Sequence, residues 1–407
     1  WAARALGCLG VLLIVGAWPP ARAAGGVWQS CHFGHSTSPS PLEGLLDEVD
    51  APRVAWTGER ECAANRTSLS TRFPQGCLGR KHVRYLPNGC KLQAFDAGVF
   101  IRLLGGARGR FVMLVGDSML QQLYDALGCL LSAHRVETVV MSQALRRRAP
   151  DSPRDILFSV NKMSTINRHS TLCKVYVEGE AHLYLCFLRL KGVNVNPIAA
   201  IPTMLQSTDI VVAAAGAHYN TEANYVAAVD DVIGKEWEEE RAPPVPYQPR
   251  VRRKAARQGE PPPPAQPWAR PTLLWVETTA QHFDSPGGVF TEVIDLRKTP
   301  GAMCRTNHSL ADLRGPGNWR NRIANKVMDR VGVPVLPMWF PSALAQHLHV
   351  AEIKVKAMRL LDCLHFCEVN GGLHDIGAEL LLNWFLAHPP PPPPAEPLGS
   401  ALEAVTP

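Results

Sequence analysis

The chain is short of charge. Only 19% of its 407 residues are Asp, Glu, Lys or Arg, against about 25% in an ordinary soluble domain. Neither sign dominates, with 42 basic residues against 36 acidic ones and a formal net charge of +6. That balance excludes an acidic disordered protein. It also argues against nucleic acid as a partner, because such binders gather a strong basic excess. Long apolar runs are scarce too. The run LGCLGVLLIVGAW at Leu6–Trp18 holds 13 residues, where a full membrane span takes about 20. No glycine-rich phosphate loop and no basic coenzyme cradle stands out, so no bound cofactor is expected. No second close cysteine pair joins Cys363 and Cys367 to complete a zinc site, although His365 lies between them, so no metal is expected either.

What the chain does have is cysteine and proline, 11 and 35 residues respectively. Arg4 precedes the apolar run, and Ala21-Arg22-Ala23 follows it. This is the layout of a secretory leader, so residues 1–26 are expected to be a signal peptide or a single-pass signal anchor. Ten cysteines lie outside the run: Cys31, Cys62, Cys77, Cys90, Cys129, Cys173, Cys186, Cys304, Cys363 and Cys367. An even number in an oxidising compartment allows up to five disulfides, whose pairing the sequence leaves open. The triplets Asn65-Arg66-Thr67 and Asn307-His308-Ser309 are glycosylation acceptors that suit the same compartment.

Residues 27–100 are rich in Gly, Pro, Ser and Cys and read as an irregular, disulfide-held approach to a core at 101–388. Apolar strands are expected at 110–115, His182–Leu190, Asp209–Ala214, Leu273–Glu277 and Val333–Met338. Helices are expected at Glu222–Glu239 and Leu344–Arg359. Strands alternating with helices imply an α/β fold with a mostly parallel sheet. Residues 241–271 break the pattern with Pro, Arg and Lys and read as an exposed insertion. Residues 389–407 open with six consecutive prolines and read as a Pro-rich tail.

Two short segments carry the chemistry. Gly116-Asp117-Ser118 follows the apolar run RFVMLV and precedes a helically spaced one. Ser118 therefore stands at the carboxyl edge of the sheet, among unpaired amides that favour a developing oxyanion. The same residues would also serve as a helix cap. Far downstream, Asp362 and His365 are three residues apart in DCLHFC. His365 would take the proton of Ser118 and Asp362 would orient its ring. A bridge at Cys363 or Cys367 would hold that loop rigid. In Gly216-Ala217-His218-Tyr219-Asn220, just past a strand, Gly216, His218 and Asn220 are oxyanion or cleft candidates, with Gly116 and Asp117. Arg189 and His282 are further cleft candidates. Trp319, Trp339 and Trp384 would suit sugar rings if exposed, although core packing is their commoner use.

These pieces, in their order, resemble the plant and algal trichome-birefringence-like family, within the wider PC-esterase group. The resemblance rests on Tyr85–Asp96 (YLPNGCKLQAFD), FVMLVGDSMLQQL with Gly116-Asp117-Ser118, Glu277–Phe283 (ETTAQHF), Cys304 after Gly301, and DCLHFC followed by GGLHD with Asp375. It covers about residues 31–387. The chain departs from the family at Gln121-Gln122, at Gly216-Ala217-His218-Tyr219 and at Gly301-Ala302. The resemblance implies an SGNH-hydrolase-like three-layer sandwich. It implies a Golgi or secretory O-acetyltransferase that forms an acetyl-serine at Ser118 and passes the acetyl group to a polysaccharide or oligosaccharide acceptor such as xylan. The acetyl donor is not legible in the residues. A carbohydrate acetylesterase with the same three residues and a non-catalytic wall-glycan-binding protein are the alternatives.

Overall fold

A computed structural model describes residues 44–49, 82–88, 90–106, 109–140, 172–189, 210–217, 219, 221–230, 233, 272–355, 357–367 and 372–390. The leader at 1–26, the insertion at 241–271 and the tail from 391 lie outside the described residues. Among the described residues no helix is long and apolar enough to cross a membrane.

The elements follow in chain order as β1 (Gly44–Val49), β2 (His82–Pro87), α1 (Ala97–Leu104), β3 (Arg110–Gly116), α2 (Ser118–Leu130), β4 (Arg135–Val140), β5 (Leu172–Glu178), β6 (Ala181–Arg189), β7 (Ile210–Ala213), α3 (Glu222–Val229), β8 (Thr272–Val276), α4 (Leu310–Arg314), α5 (Trp319–Val331), β9 (Val335–Leu336), α6 (Trp339–Leu344), β10 (His349–Val355), β11 (Met358–Phe366) and α7 (Leu373–Ala387). Among the described residues seven strands form the central sheet in the order β4-β5-β6-β3-β7-β8-β9. The pairings from β6 through β3, β7 and β8 to β9 are parallel. β5 runs antiparallel to β4 and β6. The fold is thus α/β with a mixed sheet.

The alternation of β3 explains why its sequence is apolar throughout. Val112 and Leu114 pack with α1, α2 and α7 on one face, while Phe111, Met113 and Val115 pack with α3 and α5 on the other. A strand covered on both faces has no polar side to present. β3 is also where the chain changes direction through the sheet, with β6 on one side and β7 on the other. Such switch points open a crevice at the carboxyl ends of the strands.

Two small antiparallel sheets accompany the central one, β1 with β2 and β10 with β11. The second corrects the expected helix at Leu344–Arg359. There α6 ends at Leu344, a single 3-10 turn spans Gln346–Leu348, and a hairpin begins at His349. Ile353 is partly buried and joins a run that alternates well enough for a strand, so periodicity alone misassigned it. The helix expected from Glu222 is described to Val229.

Cys173 and Cys186 stand opposite each other on β5 and β6 and form a disulfide. Cys304 and Cys363 form a second. Cys90 and Cys367 are disulfide-bonded as well, whereas Cys129 is a buried thiol, so the ten cysteines do not all pair. Cys31, Cys62 and Cys77 of the expected N-terminal disulfide segment lie outside the described residues.

Candidate active site

β3 ends at Gly116, and α2 begins two residues later at Ser118. Asp117 between them is the cap: its Oδ1 accepts from the Met119 amide at 3.0 Å, and its Oδ2 accepts from the Ala217 amide at 3.2 Å. Asp117 thus closes the helix start and ties it to the loop after β7. Ser118 itself is helical, so its hydroxyl is left for another partner.

That partner is His365. Its Nε2 lies 2.7 Å from Ser118 Oγ, and its Nδ1 lies 2.6 Å from Asp362 Oδ2. The acid and the base are on a strand, not on the loop expected from sequence. The strand is irregular there. His349 pairs with Phe366 and Ala351 with Asp362, so two residue steps on β10 face four on β11. β11 therefore bulges at Cys363-Leu364-His365, and a bulge re-aims the side chain it carries. Asp362 closes the bulge, its Oδ1 accepting from the Leu364 and His365 amides at 3.0 and 2.9 Å. Opposite, Ala351 takes φ +64°, a left-handed conformation that costs a residue with a Cβ roughly 1–2 kcal/mol.

Burial pushes the Asp362 carboxyl up, but the His365 charge and the hydrogen bonds from His365 and Leu364 outweigh it and hold the pKa below the ordinary carboxylate range. An ionised Asp362 keeps the proton on His365 Nδ1 and leaves Nε2 to accept from Ser118.

Two buried links register the strand against the helix. The Gln122 side chain, one turn beyond Ser118, donates to the Phe366 carbonyl at 2.8 Å. Cys363, next to Asp362, is tied by its disulfide to Cys304. The bridge expected beside the acid and base is present.

The other expected residues scatter. Gly216 packs so closely under β8 that a Cβ there would stand 2.0 Å from Thr278 Oγ1. Gly116 is tight as well, with 2.7 Å from such a Cβ to the Ala214 carbonyl. Arg189 pairs in register with Gly116 at the same sheet edge. His218 and Asn220 lie outside the described residues. Tyr219 between them has a phenol pushed up to about 12 by burial and by the Asp117 charge. His282 does not line the cleft: it is fully buried. Trp319, Trp339 and Trp384 are core residues, at 9%, 5% and 4% exposure, which removes them as sugar platforms. Asp375 lies in the first turn of α7, where an acid suits the helix start. Among the described residues no group of three or more His, Cys, Asp and Glu side chains could hold a metal ion.

Three residues near the site, buried Gln122 and Arg320 and half-buried Glu277, were given no role from sequence. Gln122 follows Ser118 by one helical turn, a spacing that would have revealed it. Arg320 donates through Nε and Nη2 to the Tyr219 carbonyl and holds the loop after β7. Glu277 accepts from Asn325 Nδ2 and the Trp339 amide and so joins β8 to α5 and α6; burial pushes its carboxyl up despite those bonds. Neither Arg320 nor Glu277 has a local sequence signal.

The arrangement is triad-like and fits hydrolase or transferase chemistry. Over part of its length the chain is homologous to trichome-birefringence-like proteins and probable xylan O-acetyltransferases. It is 42% identical to the Arabidopsis thaliana protein trichome birefringence-like 36 over 50 residues, 12% of each chain. It is 33% identical to the rice (Oryza sativa subsp. japonica) probable xylan O-acetyltransferase 10 over 90 residues, 22% of this chain and 19% of the relative. It is 30% identical to the rice probable xylan O-acetyltransferase 11 over 112 residues, 27% and 25% respectively. The matched stretches thus span between about an eighth and a quarter of these relatives. No family model matches the chain.

Proposed function

We propose that the protein is an O-acetyltransferase of SGNH-like fold, moving an acetyl group through Ser118 to a hydroxyl of a cell-wall polysaccharide. The observation that carries this reading is the Ser118–His365–Asp362 hydrogen-bonded line at 2.7 and 2.6 Å. Ser118 Oγ attacks the acetyl carbonyl of an activated ester or thioester donor, and His365 Nε2 takes its proton. The carbonyl π pair moves to oxygen and returns as the donor's leaving group departs with that proton. Asp362 stabilises the imidazolium in between. A sugar hydroxyl then gives its proton to His365, attacks the acetyl-serine and releases Ser118. An amide at the start of α2 not taken up by the Asp117 cap would favour the oxyanion. A polysaccharide acceptor and a Golgi or other secretory setting are supported by the named relatives and by the disulfides.

The test is acetyl transfer by the full chain, made in an oxidising host and given an acetyl donor with a panel of glycans. Acetyl gain that disappears in Ser118→Ala supports the reading. Acetate release from acetylated glycans, without gain, would make the protein an esterase. A folded Ser118→Ala variant that behaves as wild type in both assays would refute Ser118 as nucleophile. An acetyl adduct on Ser118 by intact mass would identify the intermediate.

A further inference from the structure

Of the two glycosylation triplets in the chain, Asn65-Arg66-Thr67 lies outside the described residues, and Asn307-His308-Ser309 lies in the loop between Cys304 and α4. The proposed chemistry uses none of its residues. The middle residue anchors the loop. His308 is 5% exposed. Its amide donates to Gln346 Oε1 and its carbonyl accepts from Gln346 Nε2, both at 2.9 Å. Its ring Nε2 lies 2.9 Å from the Phe283 carbonyl oxygen. In an extended segment successive side chains point opposite ways, so the neighbours of a buried residue face solvent. Asn307 and Ser309 are indeed both exposed.

The Asn307 carboxamide has a defined orientation. Arg305 Nε donates to Asn307 Oδ1 at 3.0 Å. A guanidinium only donates, so the atom facing it is the oxygen, and Nδ2 is directed away from Arg305. Among the described residues Nδ2 makes no hydrogen bond. The Ser309 hydroxyl accepts from the Asp312 amide at 3.1 Å and caps α4. A sugar on Nδ2 therefore replaces one solvent-facing hydrogen and breaks none of these contacts.

The chain order leaves time for the modification. Once folded, the loop is pinned through His308, so the sugar has to arrive before the loop docks. Cys304 is tied to Cys363, 59 residues later. At about 5–20 residues per second of synthesis, that partner follows Cys304 by roughly 3–12 s. The triplet, close behind Cys304, is free chain throughout that interval.

We propose that Asn307 is an N-glycosylation site, modified on Nδ2 by an oligosaccharide from a lipid pyrophosphate donor of the secretory lumen. The Nδ2–C1 bond forms as the C1–O bond to the pyrophosphate breaks. The lipid pyrophosphate leaves, and Nδ2 gives up a proton to a base of the transferase. The glycan then stands on the loop that the Cys304–Cys363 bridge ties to β11. This rests on the secretory setting of the proposed function.

The test uses the full chain behind an added secretory leader in a eukaryotic host, which makes entry into the lumen independent of the chain's own first residues. Release of glycans by a peptide N-glycosidase in oxygen-18 water turns each glycosylated Asn into a labelled Asp. Most of the Asn307 peptide should carry the label. Asn307→Gln and Ser309→Ala should each lose one glycan from the intact mass. Ser309→Thr keeps both the triplet and the cap and should retain it. Asn307→Gln should still react at Ser118 with a fluorophosphonate, a probe for base-activated serines, at the wild-type rate. An unmodified Asn307 in chains whose Cys304–Cys363 bridge has formed overturns the site, and so does a glycan found on Asn65 alone. A slower fluorophosphonate reaction of Asn307→Gln, with no glycan on wild type, makes Asn307 a structural partner of Arg305 instead. Protein purified from its own cells separates the site from the setting. Asn307 glycosylated behind the added leader, but bare in native protein whose Cys304 and Cys363 are thiols, removes the secretory setting and the native glycan with it.

Discussion

The Asp362 carboxylate accepts three hydrogen bonds, all from within its own strand: two amides on one oxygen and the His365 ring on the other. It thereby shapes the bulge and orients the base at once. Asp362→Asn separates the two roles. The amide oxygen can keep both backbone bonds, but its NH2 then faces His365 Nδ1 and favours the tautomer protonated at Nε2. The expected result is a fall of about 10⁴ in Ser118 acylation, as for loss of the correct tautomer elsewhere, with melting temperature far less affected. Stopped acylation kinetics on both proteins checks this. The lowered pKa of Asp362 also has a stability sign. A carboxyl held below its unfolded value of 3.8 stabilises the fold fully above that value and loses the contribution as pH falls through and below it. Melting temperature should therefore drop more steeply below about pH 4 in wild type than in Asp362→Asn. Parallel acid limbs would contradict it. At this scale the sequence was informative. Three residues apart on a strand or turn, an acid and an imidazole can meet, and here they do. His282 misled, because its motif placed it near the site without saying that its ring turns into the core.

Among elements, the contact between α2 and β11 decides whether Ser118 and His365 meet. Gln122 makes that contact inside the core. Gln122→Leu should cost about 1–3 kcal/mol in a denaturant titration, the penalty for leaving the Phe366 carbonyl without its donor. It should slow fluorophosphonate labelling of Ser118 as well. Unchanged labelling would mean that the register is held without it. The Cys304–Cys363 bridge closes 59 residues, so the double variant Cys304→Ser, Cys363→Ser should lose about 4 kcal/mol on the chain-entropy account. The strand-to-helix junction at Ser118 was legible because an apolar run and a helical one abut there. The β10–β11 hairpin was not. Its bulge and its left-handed Ala351 are set by what lies across from them, and neither leaves a periodic mark.

In the whole molecule, the nucleophile and the base are 247 residues apart in sequence and are joined by a layered fold. The nucleophile opens α2 at the edge of the central sheet, and the base sits on a hairpin outside that sheet. One disulfide, Cys173–Cys186, lies in the central sheet, and another, Cys304–Cys363, ties the hairpin to the loop before α4. Reduction of the full chain should therefore lower melting temperature and Ser118 labelling together, and reoxidation should restore both. Full labelling of reduced protein would show that packing alone holds the hairpin in place. The apolar content and the two-faced character of β3 already implied strands covered on both sides. By itself the sequence determined the α/β alternation, the place of Ser118 at a sheet edge and the pairing of Asp362 with His365, because each depends on neighbours a few residues away. Only the tertiary structure decided that His365 reaches Ser118, that Gln122, His349 and His282 stand behind it, and that the tryptophans are core. Those outcomes depend on which surfaces meet across hundreds of residues, and burial and hydrogen-bond satisfaction act on surfaces that exist only once the chain has folded.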